Sequence, residues 1–524
     1  MLHSINPATN TLLRSFEPLT ADALAAKLAL AGAAAESYPL VRLDQRIFWM
    51  RRLALLLDAE TEELAALMTA EMGKTLTAAR AEVAKCALCC RYYADHAPAL
   101  LAPERIATEH ADAHVRYDPL GVILAVMPWN FPLWQVFRFA APALIAGNVA
   151  LLKHAPSVPQ CALAIEALVR RAGFPRGSFQ TLLLEDTQVE SVIADPRVAA
   201  ITLTGSEAAG QAIAAQAGWF LKKTVLELGG SDAFIVLPSA DLDKAIPAAV
   251  QSRCINNGQS CIAAKRFLIH ESVYDEFTRR FTAAMAFLRV GDPTDPATDI
   301  GPLASPRALE RLREQIAAAT ACGGRILTGG GTVHAAGNYI APTVIVDVPR
   351  DAPITQQEIF GPVALVFRIA SLDDAIALAN ATPFGLAASC WTRDTIEQQR
   401  LAERLQCGGV FFNAIVASDP RLPFGGIKRS GYGRELAAAG MREFLNAKTI
   451  VVSGPQPLAD QPSLFDEDEL IKAVQQPEEP TRFLPRKPLA PVATTESALE
   501  PASATPAEEP PQPSQRGSIL GLSR

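Results

Sequence analysis

The chain has 524 residues, 49% of them apolar and 20% charged, and a net charge of −7. This is the composition of a globular protein of two or three domains, large enough to need no disulfides, and its charge argues against nucleic acid or an anionic membrane as main partner. No apolar run approaches the ~18 residues of a membrane span, and Met1–Asn10 lacks the apolar core of a secretory signal, so a cytoplasmic protein is expected.

In chain order, residues 20–100 read as three or four Ala- and Leu-rich helices, among them 21–36, 43–57 and 76–93, with apolar residues recurring at three and four. Cys86-x-x-Cys89 has zinc-ligand spacing, but no second Cys or His pair lies nearby. These cysteines read as small apolar residues packed on a helix, and no metal is expected. Residues 104–120 alternate as a projecting antiparallel ribbon. Strands at 121–127, 148–152 and 198–203 then alternate with helices at 137–146, 159–172 and 208–217. The pattern restarts with strands at 232–237 and 266–269 and helices at 245–252 and 273–287, and continues to about Asn413. Strands and helices alternating at these lengths predict two α/β, doubly wound (Rossmann-like) domains with a ligand crevice between them. A late β-type run, 447–452, has no obvious local partner, which together with the ribbon suggests a small antiparallel oligomerisation arm. The expected boundaries are 1–103 with 121–228 for a cofactor-binding domain, 104–120 with 430–453 for the arm, and 229–429 for a catalytic domain. Residues 454–524 hold 13 of the 39 prolines and 11 acidic residues, and read as a disordered tail.

Four short motifs carry chemistry. Cys261 follows the Gly-containing turn Asn256-Asn257-Gly258-Gln259-Ser260 and precedes an expected helix start, a setting that favours thiolate. Glu227 stands between two leucines and beside Gly229-Gly230, where burial would raise its pKa towards that of a general base. Asn130, flanked by Pro128 and Pro132, could donate a hydrogen bond to an oxyanion. Thr204-Gly205-Ser206 lies between a strand and a helix, where a pyrophosphate could sit, although the full G-x-G-x-x-G fingerprint is absent.

With Glu358-Ile359-Phe360-Gly361-Pro362-Val363 and Pro423-Phe424-Gly425-Gly426-Ile427-Lys428-x-Ser430-Gly431, these motifs stand in the order of the aldehyde dehydrogenase superfamily, which residues 1–453 resemble. The resemblance implies that Cys261 is the nucleophile. Glu227 would be the base that activates either that thiol or the hydrolytic water, and Asn130 with the Cys261 backbone N–H would form the oxyanion hole. It further implies that Lys153 binds the adenosine ribose and that Gly205 and Ser206 line the pyrophosphate site. Glu358 would hold the nicotinamide ribose, Phe360 would pack on the nicotinamide and Trp129 would line the crevice. Members that pass the acyl group to coenzyme A generally lack the Glu, so hydrolysis is the expected fate.

The chain is similar in particular to the succinate-semialdehyde dehydrogenase branch. Arg138 falls where that branch places an arginine for the substrate's distal carboxylate, and Arg253 and Ser418 are further candidates. The branch's second arginine stands six positions before the nucleophile. Here that position is Ile255, and Arg253 stands eight before. NAD-selective members carry a Glu three residues after the ribose-binding Lys. Pro156 occupies that position here, with Ser157 beside it, so a 2′-phosphate is not repelled and NADP is expected over NAD. The expected reaction is oxidation of an aldehyde, with succinate semialdehyde foremost, by a homodimer or homotetramer. The alternatives are a broad aliphatic or aromatic aldehyde dehydrogenase and a non-catalytic scaffold that acts through its tail.

Overall fold

The computed structural model describes residues 1–334 and 336–454, all within one compact unit, Met1–Gln456. The expected disordered tail therefore lies, apart from Gly454, outside the described residues. Two sheets organise the fold. The first has six strands in the order Gly431–Tyr432, Lys223–Glu227, Val198–Thr204, Val122–Met127, Val149–His154 and Phe179–Thr181. All neighbours are parallel except the short edge strand at 431–432. The second has seven, in the order Arg325–Thr328, Thr343–Val346, Val363–Ile369, Arg266–His270, Ala233–Val236, Ala387–Trp391 and Gly409–Phe412, again parallel except at the edge strand 325–328.

Central strands of a parallel sheet are covered on both faces, which is why Val122–Met127 and the first four residues of Val149–His154 read as continuous apolar runs. The helices are capped as their sequences dictate. Thr20 Oγ1 accepts the Ala23 N–H at the start of Ala21–Ser37, and Thr75 Oγ1 accepts the Ala78 N–H at the start of Leu76–Leu100. The latter helix runs seven residues beyond the expected end. Its buried face holds Ala79, Val83, Cys86, Cys90, Tyr93 and Ala97 at three- and four-residue intervals, and Cys89 is buried beside them. The paired cysteines are thus core residues. Among the described residues no group of three or more His, Cys, Asp or Glu side chains is placed to hold a metal. Among them also, no helix is long and apolar enough to cross a membrane.

The late strand does have a partner. Leu445–Val452 pairs antiparallel with Asp112–Pro119 over its whole length, from Leu445 opposite Pro119 to Val452 opposite Asp112. Glu104–Arg105 completes a three-stranded sheet with Leu445–Val452 at one edge. Not all of the segment 430–453 expected to form an arm joins this three-stranded sheet. Gly431–Tyr432 belongs to the six-stranded sheet, because Gly431 lies against the Leu226 backbone too closely for any side chain: a Cβ there would stand 2.0 Å from the Leu226 carbonyl oxygen.

In the six-stranded sheet the loops that carry the chemistry leave the carboxyl ends of parallel strands, the side where open α/β sheets bind ligands, whereas in the seven-stranded sheet Cys261 and Glu358 lie on segments that enter the strands Arg266–His270 and Val363–Ile369. Met127 leads into Pro128–Pro132, Thr204 into Gly205-Ser206, and Glu227 closes its own strand.

Candidate active site

The loop that carries Cys261 is built on an unusual backbone. After the helix Leu242–Cys254 the chain turns through Asn256 (φ 57°), Asn257 (φ 58°) and Gly258 (φ 76°), three successive left-handed residues. Asparagine tolerates this region better than most side chains, and the strain persists only where surroundings fix it. Asn256 Nδ2 donates to the carbonyls of Asn130 (2.7 Å) and Gln259 (3.1 Å). Asn257 Nδ2 donates to those of Gly73 and Pro302, and its Oδ1 accepts the Gly301 N–H. A Cβ on Gly258 would stand 2.3 Å from the Gly361 carbonyl carbon, so no other residue fits there.

Arg253 completes the brace. Its guanidinium is fully buried and donates to the carbonyls of Gly258 (2.7 Å) and Ala264 (2.8 Å), on either side of the nucleophile. It lines neither cavity at Cys261, so the expectation that it binds a substrate carboxylate is corrected: the left-handed turn leaves carbonyls that only a buried donor can satisfy. Arg253→Met should leave both unpaired, at a cost of about 2–5 kcal/mol. A melting temperature lowered by several degrees would show this; an unchanged one, with only the affinity for acidic aldehydes reduced, would restore the substrate role.

Cys261 and Gln135 line both of two cavities. One, of about 300 Å³, is lined by Trp129, Asn130, Gly205, Ser206, Glu358 and Phe360 among others. The other, of about 820 Å³, is lined by Lys85, Trp134, Arg138, Ser418 and Phe424 among others. No helix starts at Cys261. It sits in a turn that leads into the strand Arg266–His270, and burial pushes its thiol up to about 12. The charges of Lys265 and Arg138 pull the other way. Lys265 is wholly buried and donates to the carbonyls of Cys261 (2.5 Å) and Ser260 (2.8 Å), with Glu358 Oε1 3.6 Å away.

Asn130 is buried, and its Nδ2 donates to the Gln259 carbonyl at 3.1 Å, while its Oδ1 has no partner. Its loop is held from below by Glu82, which accepts the N–H groups of Leu133 (2.8 Å) and Trp134 (2.9 Å) and pairs with the buried Lys74. His154, kept neutral by burial that drags its pKa to about 4, donates through Nε2 to the Pro132 carbonyl.

In the smaller cavity, Ser206 caps the helix Glu207–Trp219 and accepts the Ala209 N–H, leaving the first backbone donors of that helix for an anion. Glu358 accepts the Gly230 N–H at 3.0 Å and fills the space a side chain at position 229 would need: a Cβ there would lie 2.7 Å from Glu358 Oε2. Trp129 meets Phe360 edge to face, with centroids 5.8 Å apart. A helix N-terminus, a glycine cradle, an aromatic wall and the unpartnered Asn130 Oδ1 fit a dinucleotide. Lys153, on Val149–His154, is buried with its ammonium 2.5 Å from Asp186 Oδ1; Pro156 and Ser157 follow on an exposed turn. These three do not line the cavity itself.

Glu227 ends the strand Lys223–Glu227, almost fully buried. Burial holds its carboxyl well above the usual range; Arg138 opposes that shift and Glu435 adds to it. Glu227 lines neither cavity; its Oε1 lies against Gly425, where a Cβ would approach to 2.6 Å, and has no hydrogen-bond partner. Arg138 lines the larger cavity, but its guanidinium is paired with buried Glu435, donates to Thr204 Oγ1 (3.2 Å) and lies over the Phe424 ring.

A family model described as the aldehyde dehydrogenase family matches residues 1–450. The chain belongs to the aldehyde dehydrogenase family. It is similar to a protein of Mycobacterium tuberculosis named succinate-semialdehyde dehydrogenase [NADP(+)] 1, at 54% identity over 453 residues, covering 86% of this chain and 99% of the other. It is 53% identical over 450 residues to a probable succinate-semialdehyde dehydrogenase [NADP(+)] of Synechocystis, with coverage of 86% and 99%. Among solved structures it resembles the succinic semialdehyde dehydrogenase of Streptococcus pyogenes in complex with NADP+, at 39% identity and a TM-score of 0.85, covering 87% of this chain and 100% of that one.

In this aldehyde dehydrogenase the structure brings Cys261, Asn130, Trp129, Gly205, Ser206, Glu358 and Phe360 to one cavity, and Cys261, Arg138 and Ser418 to the other. It sets Arg253 apart as a brace. The sequence reading passed over Glu435, Lys265, Lys85, and also Arg307 and Arg311, which line the smaller cavity one helical turn apart. Glu435 stands four residues after the end of the motif at 423–431, and that nearness was the available signal for it.

Proposed function

We propose that the chain oxidises succinate semialdehyde to succinate with NADP, through a thioester on Cys261. The observation that carries the reading is that Cys261, the one nucleophile in the wall that the two cavities share with Gln135, faces both a crevice suited to a dinucleotide and a second cavity with basic side chains in its wall. The Cys261 thiol loses its proton towards Glu227, whose raised pKa suits it as acceptor, and the sulfur adds to the aldehyde carbon. Asn130 Nδ2 and the Cys261 N–H donate to the oxyanion so formed. A bound nicotinamide supplies the hydride acceptor. When it is bound, Glu358, Phe360 and Trp129 would orient it, Gly205 and Ser206 would hold the pyrophosphate, and Lys153 would hold the ribose. Once Glu227 has passed the thiol proton to solvent it deprotonates the water that opens the thioester; the carboxylate is released, and the expelled sulfur takes that proton to become the thiol again.

The six-stranded unit is accordingly the cofactor-binding domain and the seven-stranded unit the catalytic one. The exposed edge of Leu445–Val452, with Val451 48% and Val452 40% exposed, suits pairing with a second subunit in a dimer or tetramer.

For the cofactor, similarity to NADP-named relatives joins the absence of an acid at Pro156 and Ser157. Steady-state kinetics should give a kcat/KM for NADP at least tenfold above that for NAD, and Ser157→Glu should reverse the preference by placing a like charge at the 2′-phosphate. An unmodified enzyme that prefers NAD would overturn this choice. Succinate semialdehyde should be oxidised with a higher kcat/KM than butanal; equal values would favour a broad aldehyde dehydrogenase instead.

A further inference from the structure

Of the two basic side chains in the wall of the larger cavity, Arg138 has its charge matched by Glu435. Lys85, on the helix Leu76–Leu100, does not. Its ammonium is partly buried, donates to Ser418 Oγ at 2.7 Å and stands 4.3 Å from the centroid of the Trp134 ring. The acids that bear on it, Glu82 and Asp419, are each held by another cation: Glu82 by Lys74 and Asp419 by Arg421. Among the described residues no carboxylate lies within ion-pair distance of Lys85. A cation removed from water and left without a counter-ion is costly unless an anion completes the site.

Ser418 points to the same conclusion by a separate route. Its oxygen accepts from Lys85 Nζ and also from the indole Nε1 of Trp134, at 3.1 Å. A hydroxyl has two acceptor sites and one hydrogen to donate. With both acceptor sites taken, that hydrogen is available only as a donor, and the cavity is the space beside it. Ammonium and hydroxyl, cross-linked and steadied by Trp134, thus present two donors to one oxygen-bearing anion.

We propose that Lys85, with Ser418 as its fixed hydroxyl partner, is a further residue that holds the distal carboxylate of the aldehyde acid, beside Arg138, whose charge is shared with Glu435. This rests on the reading that the substrate is a short aldehyde acid. It adds a specificity charge on the helix Leu76–Leu100, where the sequence suggested only packing.

The ammonium also titrates in an accessible range. Burial and the neighbouring Arg138 guanidinium pull it down to about 8, against Cys86, Glu82 and Cys89. Asp419, paired with Arg421, is the other charged group that faces it. The cationic form binds the anion, so the KM for an acidic aldehyde should be low below pH 8 and climb above it. The KM for a neutral aldehyde should not follow.

The test uses the full chain with NADP, and succinate semialdehyde against butanal. Lys85→Met should lower the ratio of the two kcat/KM values by about 30-fold or more, mostly through the KM of the acid. Lys85→Arg should restore most of that ratio and remove the climb of KM above pH 8. Ser418→Ala should lower the ratio about fivefold. A Lys85→Met enzyme that keeps the parent's ratio overturns the proposal. So, should that variant fail to fold, does a parent KM for the acid that stays level from pH 7 to 9.5. If the parent itself shows no preference for the acid, the reading of the substrate falls first, an outcome distinct from a preference that survives the loss of Lys85.

Discussion

Cys261→Ser should reduce turnover by at least about 10⁴-fold with any aldehyde, while the protein still folds and binds the dinucleotide. Serine keeps the shape and the donor, so nothing in the braced turn at 253–264 is disturbed. It removes the one atom in the shared wall of the two cavities that can add to a carbonyl and later leave. The same sulfur gives a second readout. Burial places its pKa at about 12, so in the free enzyme it is a thiol at neutral pH. Alkylation by iodoacetamide should therefore be slow at pH 7 and accelerate steeply as pH rises. Peptide mass spectrometry should place the label at residue 261 and find none there in the serine variant. Undiminished oxidation by Cys261→Ser would end the thioester mechanism. Rapid labelling at pH 7 would show that the field of Lys265 and Arg138 outweighs burial.

The pattern of what was legible follows from where each feature gets its specificity. Parallel strands covered on both faces, such as Val122–Met127, declare themselves by apolar runs, and the alternation with helices then fixes the α/β class. Cys261, Glu227 and Asn130 stand out as candidates because each sits in a short motif whose neighbours prepare it: the left-handed turn at 256–258, the glycine pair after Leu228, the flanking prolines; the sequence did not say that Cys261 and Asn130 would line one cavity and Glu227 would not. Charge partnerships were not. Whether Arg138 faces a substrate or Glu435, and whether Arg253 faces a cavity or two carbonyls, is decided by residues brought in from elsewhere in the chain. Lys85 was hidden for the same reason: on its own helix it reads as a residue beside buried cysteines, and only Trp134 and Ser418 turn it towards a cavity. The pairing of 445–452 with 112–119 likewise joins segments that no local signal connects.

Glu227→Gln should lower kcat by about 10²–10⁴-fold, and the shape of the first turnover should say which of its two roles matters. Glutamine preserves size and can donate or accept, but it cannot take a proton at any working pH. If Glu227 mainly activates water, the variant should still release a full burst of reduced cofactor in the first turnover and then stall, with an acyl group on Cys261 visible by intact-mass spectrometry. If it mainly receives the thiol proton, the burst itself should vanish. Stability should move in the opposite sense to activity. Burial raises the Glu227 pKa above its unfolded value, so its contribution to stability is fully present below the unfolded pKa and is lost as pH rises through the folded one. Above that point the parent holds a poorly solvated carboxylate with no partner for Oε1, beside a like charge on Glu435. The neutral amide is spared that cost, so Glu227→Gln should melt at the same temperature as the parent in acid and at a higher one above neutrality. A variant that is both less stable at high pH and fully active would place Glu227 among the structural carboxylates and leave the thioester to be opened by another base.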